Sequence, residues 1–367
     1  MRLGLAGTAK NTGKTTTTAA IIQELRTRGI QFFLTSIGYD GENIDNITGL
    51  PKPKLQVEAG DIVVTAEKCL SASTASLKIL EQTEIRTALG KIAVAKVMKP
   101  GLVVTAGPNK SSEVRMLSQL LRKLGPGVTI YDGALNRIAP MAETDGFVLA
   151  TGASRTPDIP NLARETEYIW HIANLPTVLR AAELQERKLG WVTLLTPDLT
   201  IIKEWPKTSL LSSHDIADIL AQQMEEGSYL FIPGIISENA MELISSVMST
   251  RQRRLVLTLA DPIKLLVAGD PLILYNLIQK LEDKGAFVGV LRRIPMLAVT
   301  VNPFYPEYRF ESKTYQPAFV DFTRLQVTVQ KNIRVPVYNV VKQGAKGLVD
   351  IIMANAKVWE SPDTVYF

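Results

Sequence analysis

The stretch Arg2-Leu-Gly-Leu-Ala-Gly-Thr-Ala-Lys-Asn-Thr-Gly-Lys-Thr-Thr16 decides the fold. Arg2 to Ala6 reads as a strand. Lys14 to Arg28 reads as a helix, because Ala19, Ile22 and Leu25 share one face and Gly29 stands at the end. Between them lies a turn rich in Gly and Thr, Gly7 to Gly13. A strand that passes through such a turn into a helix is the setting in which a phosphate chain is held. The first backbone N–H groups of the helix have no intrahelical acceptor, and the helix dipole is positive there. In this reading Gly13 lets the backbone come close. Lys14 reaches the terminal phosphates as a point charge, and the Thr15 hydroxyl is the expected magnesium ligand. Thr8, Lys10, Asn11, Thr12 and Thr16 complete the expected binding loop. The bland alternative is a Gly/Thr turn that holds no ligand.

Two carboxylates further along fit the same chemistry. Val128-Thr-Ile-Tyr-Asp132 is an apolar run ending in Asp, the form of a Walker B strand, from which Asp132 would hold magnesium or its water shell. Asp40, in Ile37-Gly-Tyr-Asp-Gly-Glu42, follows a strand at Gln31 to Ile37 and would orient the attacking water or contact the metal. Glu42 is its rival, and an ordinary Asp-Gly turn is the simpler reading. Lys14, Asp40 and Asp132 are therefore the expected catalytic set, with Thr15, Asp40 and Asp132 as metal ligands. Asn136, Arg137, Ser154 and Arg155 are further candidates for the cleft. ATP is expected rather than GTP: Asn109-Lys110-Ser-Ser112 begins like a guanine-reading segment, but it lacks the Asp and precedes the Walker B candidate.

Strands and helices alternate through the first third, which predicts an α/β fold with a mostly parallel sheet. Further strands are expected at Asp61 to Thr65 and Phe147 to Ala150, a helix at Ser111 to Leu124, and a hairpin over Lys91 to Ala106 turned at Pro100-Gly101. Gly38 to Pro53 reads as a loop. A boundary between Leu175 and Gly190 would separate a nucleotide-binding domain at 1–178 from a second α/β domain at 190–367. That second half would carry strands at Trp191 to Thr196, Tyr229 to Ile232, Leu255 to Leu259, Phe287 to Leu291, Leu297 to Val301 and Val335 to Val341. The strand, helix and hairpin pattern of 61–108 recurs over 254–303, so a degenerate repeat is one reading and a chance likeness the other.

Composition removes several classes of function. Hydrophobic residues make up 46% and charged residues 21% of the chain, ordinary for a folded protein. No apolar run reaches a membrane span, and the N-terminus does not read as a signal peptide, so a cytoplasmic protein is expected. The net charge of +5 is spread out, and the short clusters Arg251, Arg253 and Arg254, or Arg292 and Arg293, have no interleaved aromatics. Nucleic-acid binding is thus disfavoured. The two histidines, His171 and His214, lie far apart, which argues against a zinc site. Cys69 is the single cysteine, so there is no internal disulfide, and it has no nearby base to make it a nucleophile.

The Gly-Thr start, with the first Gly at Gly7 where the commonest spacing would put it at Thr8, resembles the loop of dethiobiotin synthetase and other SIMIBI-class P-loop NTPases. Relatives in that class often form homodimers across the nucleotide. The signature lysine of their deviant motif would fall at Ala9; Lys10 is one place away. Beyond the loop, Leu34-Thr-Ser-Ile-Gly-Tyr-Asp-Gly-Glu42, Thr48-Gly-Leu-Pro-Lys-Pro-Lys54, Asp132-Gly-Ala-Leu-Asn-Arg137 and Ala150-Thr-Gly-Ala153 together resemble the KamB-type reactivase subunits of lysine 5,6-aminomutase. These phrases cover roughly the first 155 residues. The resemblance implies an ATP-using accessory protein that works on an adenosylcobalamin-dependent aminomutase with a MutS-like ATPase subunit. The competing expectation is an enzyme of the dethiobiotin synthetase type that phosphorylates a small carboxylate. A scaffold that binds nucleotide without turnover is the third.

Overall fold

Strand β1 (Arg2–Gly7) buries Leu3 to Gly7 and occupies the middle of a nine-stranded sheet. The computed structural model describes residues 1–38, 55–134, 139–220, 222, 224–251 and 255–359. The chain divides into two compact units, 1–166 with 296–367, and 167–295.

In the first unit the chain runs from β1 into α1 (Lys14–Thr27) and β2 (Phe32–Ser36). It continues through β3 (Leu55–Val57), β4 (Ile62–Ala66), α2 (Glu67–Ala72), β5 (Ser76–Thr87), β6 (Gly90–Lys99) and β7 (Gly101–Val103). Then follow α3 (Ser111–Lys123), β8 (Val128–Ala134), β9 (Gly146–Gly152) and α4 (Ile159–Ala173), whose last turns belong to the second unit. That unit contains α5 (Ala181–Glu186), β10 (Val192–Leu195), β11 (Ile201–Trp205), α6 (Ser213–Leu220), β12 (Ser228–Ile232), α7 (Glu238–Arg251), β13 (Leu255–Leu259), α8 (Ile263–Leu266), α9 (Pro271–Asp283) and β14 (Phe287–Val290). The chain then returns to the first unit with β15 (Met296–Asn302), β16 (Phe304–Arg309), β17 (Thr314–Phe319), α10 (Phe322–Asn332), β18 (Val337–Tyr338), α11 (Val340–Gln343) and α12 (Lys346–Trp359).

The large sheet has the order β18-β15-β9-β1-β8-β2-β4-β6-β5. From β18 to β4 all neighbours are parallel, and β6 and β5 extend the sheet antiparallel. The expected α/β class with a large, mostly parallel sheet is therefore observed. Buried strands of such a sheet read as continuous apolar runs because both faces are covered. One face packs Leu3, Leu5, Leu34, Ile130 and Val148 against Ile21, Ile22 and Leu25 of α1 and Leu348, Val349 and Ile352 of α12. On the opposite face Tyr131 is fully buried and shares a 2.8 Å hydrogen bond with Ser118 of α3. The period of two along β8 thus puts Ile130 and Asp132 on the α1 face and Tyr131 on the other.

Three expectations need correction. The units do not follow a split at 178/190: residues 296–367 complete the first unit, and β15 is a strand of its sheet next to β9. The hairpin over 91–106 does not form. β6 pairs antiparallel with β5, a strand whose exposed polar residues hid it, while β7 pairs with β3. The degenerate repeat falls with it: β14 pairs with β13 in a five-stranded sheet of order β11-β10-β12-β13-β14, whereas β15 belongs to the nine-stranded one. Local patterning cannot report such pairings, because a strand's partner is chosen by packing at long sequence range.

Candidate functional site

The carboxyl end of β1 leads into a loop held from several sides. The Thr8 N–H donates to the Ala150 carbonyl at 3.0 Å, and the Thr8 hydroxyl meets that of Thr151 at 3.0 Å, tying the loop to β9. Thr12, 1% exposed, closes the loop on itself by donating to the Ala9 carbonyl. The loop contains two left-handed residues, Asn11 at φ 62° and Gly13 at φ 89°. Non-Gly residues visit that region uncommonly, and Asn is among those that tolerate it.

Asn11 is braced by a residue from the far end of the chain. The Asn302 side-chain amide donates to the Asn11 carbonyl at 2.9 Å, and the Ser154 hydroxyl lies 3.1 Å from the same oxygen. A Cβ on Gly13 would sit 3.1 Å from the Asn302 Cβ, so Gly13 is needed for its φ and for this close approach.

Helix α1 begins at Lys14 with Gly13 at its N-cap, no side-chain cap and no acidic residue in its first turn. By contrast, α9, α10 and α11 are capped by the side chains of Asp270, Asp321 and Asn339. The start of α1 therefore keeps its orphan N–H groups and positive dipole end for an anion. The Lys14 side chain folds back over Gly7, with its Cδ 3.4 Å from where a Cβ there would stand. Its ammonium lies 2.9 Å from Oδ1 of Asp132, which projects from the neighbouring parallel strand β8 opposite Leu5. Asp132 is 8% exposed, and its Oδ1 makes no aligned hydrogen bond despite that close approach. A buried carboxylate oxygen with unused lone pairs fits a cation or its water shell. Thr15 is half-buried next to Lys14, while Thr16 is exposed. Among the described residues no group of three or more His, Cys, Asp or Glu could hold a metal by itself. A magnesium ion does not need one, since it is usually bound by one or two protein groups plus phosphate oxygens and water.

Beside the loop opens a pocket of ≈ 380 Å³. Its walls are Thr12, Gly13, Thr16 and Thr17 on one side. Thr300 to Pro303, Phe319, Val320, Phe322 and Asn339 to Lys342 form the other. The buried hydroxyls of Thr17 and Thr300 bond each other at 2.8 Å and fix α1 to β15. Among the described residues no carboxylate lines this pocket, and Lys342 is the one charged side chain that does.

The structure brings the loop of Gly7, Thr8, Lys10, Asn11, Thr12, Gly13, Lys14, Thr15 and Thr16 together with Asp132 at the carboxyl ends of β1 and β8. Asp40 and Glu42, and likewise Asn136 and Arg137, lie outside the described residues. Ser154 braces the loop, whereas Arg155 pairs with Glu165 of α4 at 2.7 Å. Asn109 and Lys110 open α3, where their N–H groups donate to Glu113. Cys69 is buried, and burial pushes its thiol up, away from thiolate. His171 stacks on Tyr275 in the second unit. Sequence reasoning missed Asn302, Thr300 and Asn339. The available signal was a strand ending in Asn302-Pro303, a polar residue at a carboxyl edge followed by a chain break in the ladder.

Comparison with protein-family models, with curated proteins and with solved structures finds no match to this chain.

Proposed function

We propose that the chain binds ATP with magnesium on the Gly7–Thr16 loop and hydrolyses it slowly, as a SIMIBI-like P-loop NTPase. The observation that carries this reading is the pairing of Lys14 with Asp132 at the uncapped start of α1. A cation on the helix that follows β1 and a carboxylate on the adjacent parallel strand meet where a phosphate chain would enter. Lys14 would exchange Asp132 for the β- and γ-phosphate oxygens, and the first-turn N–H groups would cradle the rest. Thr15 and Asp132 would hold magnesium, which when bound neutralises phosphate charge and polarises the terminal phosphoryl group. The ≈ 380 Å³ pocket beside the loop would take the base. Guanine presents N–H donors that call for a carboxylate acceptor; among the described residues the pocket offers none, which supports adenine.

The physiological role proposed is that of an accessory ATPase that reactivates an adenosylcobalamin-dependent aminomutase of the lysine 5,6 type together with a MutS-like partner. This rests on the Gly7–Thr16 loop and the four further phrases of the first 155 residues that together resemble KamB-type subunits. Slow turnover suits a machine that is driven by a partner selecting one nucleotide state. A small-carboxylate kinase is the second reading, and the Lys342 ammonium in the pocket wall is the feature that favours it.

The test is ATP hydrolysis by the wild type and Lys14→Ala, each alone and then with the aminomutase and its ATPase partner. Hydrolysis that rises with the partners and is lost in Lys14→Ala supports the reactivase reading. Absence of stimulation, with phosphate transferred to a small acid instead, overturns it in favour of the kinase.

A further inference from the structure

Strands β16 and β17 form a two-stranded hairpin that belongs to neither large sheet. Its register pairs Phe304 with Phe319, Pro306 with Pro317 and Tyr308 with Tyr315, and Phe310 opens the turn. The period of two places all seven of these side chains on one face. The other face carries Tyr305, Glu307, Arg309, Thr314, Gln316 and Ala318, with Glu307 and Arg309 paired at 2.5 Å. The apolar face is continuous. Ring centroids lie 5.8 Å apart for Phe304 and Phe319, 5.2 Å for Tyr308 and Tyr315, and 5.0 Å for Tyr308 and Phe310.

The described residues leave most of this face exposed. Phe310 is 83% exposed, Phe319 67%, Tyr308 40% and Tyr315 38%, and Phe322 and Val341 beyond the root add 38% and 75%. With about 200 Å² for a whole aromatic side chain, the exposed area comes to roughly 600–700 Å². An isolated hairpin gains little stability by itself, and an apolar patch of this size seldom stays uncovered on a monomer.

We propose that a second copy of this chain covers it, hairpin face against hairpin face about a two-fold axis. The rows are self-complementary. An axis between the proline row and the tyrosine row stacks each proline row on the other copy's tyrosines. It also sets Phe310 of the second copy against Phe304 and Phe319. The area doubles to roughly 1,300 Å² in total, within the range of specific interfaces. Because Phe319 lines the ≈ 380 Å³ pocket, Phe310 of the second copy would close part of that pocket's rim. This dimer does not depend on the nucleotide reading.

The experiment is sedimentation velocity on the full chain up to about 100 µM, a concentration at which an interface of this size is populated. The wild type is expected to dimerise. Phe310→Ser with Tyr315→Ser, which removes one aromatic anchor near the axis and one at the end of the interface, is expected to weaken association about 100-fold. Glu307→Ala with Arg309→Ala, on the opposite face, is expected to leave it intact. Should the double variant misfold by circular dichroism, the single Phe310→Ser at the exposed tip gives the same readout. A wild type that stays monomeric, including one whose aromatic face captures a different protein, overturns the proposal. So does a dimer that survives the loss of Phe310.

Discussion

Replacing Asp132 by Asn should change nucleotide affinity in opposite directions with and without magnesium. In the structure Lys14 and Asp132 are 2.9 Å apart with side chains 16% and 9% exposed. At an effective dielectric of about 20 that pair attracts by about 6 kcal/mol. Desolvation of the two ions removes most of it, leaving a net pairing of about 1–2 kcal/mol. A phosphate chain must break this pair to engage Lys14. Asn is isosteric but uncharged, so it frees the ammonium and removes a negative charge from the phosphate site. At about 1.4 kcal/mol per decade, ATP in the presence of a chelator should bind about 5- to 30-fold tighter to Asp132→Asn than to the wild type. With magnesium the sign reverses. On the proposed reading the metal would lose a ligand, Mg-ATP should bind more weakly, and hydrolysis should fall about 100-fold or more. Titration calorimetry with ATP, with magnesium and with chelator, measures both arms. If chelated ATP binds Asp132→Asn no better than the wild type, or magnesium-dependent hydrolysis is untouched, then Asp132 neither holds Lys14 nor serves the metal, and the site has been misread.

Gly13→Ala should destabilise the protein by about 1–3 kcal/mol in urea unfolding, because a Cβ at φ 89° is strained and meets Asn302 at 3.1 Å. Asn302→Ala, which removes the brace on Asn11 and one polar group from the pocket wall, should weaken ATP binding about tenfold by calorimetry and leave the circular dichroism spectrum unchanged. Burial pushes the Tyr131 hydroxyl up to about 12 from an ordinary value near 10. The unfolded chain ionises this group first. Its contribution, about 3 kcal/mol, is therefore complete below pH about 10 and is lost as pH rises towards 12. Unfolding curves across that window should show this slope, and Tyr131→Phe should flatten it.

The strand, turn and helix around Gly7–Thr16 were legible in the chain because that geometry is local. A strand, a Gly/Thr turn and an amphipathic helix follow one another within thirty residues, and the spacing of Gly13, Lys14 and Thr15 is set by the helix start. Asp132 was legible for the same kind of reason, as the polar end of an apolar strand. The class of fold also followed from the alternation of such units. The sequence alone did not determine which strands meet. That β8 lies beside β1, so that Asp132 reaches Lys14, depends on sheet order, which long-range packing decides. The same holds for residues 167–295, which stand between β9 and β15 in the chain while those two strands pair. Asn302 reaches Asn11 only through that pairing, and Phe319 reaches the pocket only because the chain returns to the sheet after the second unit. Local periodicity records which face of an element is buried; its neighbours are chosen by the burial of the whole sheet, and that is where tertiary structure alone assembled the site.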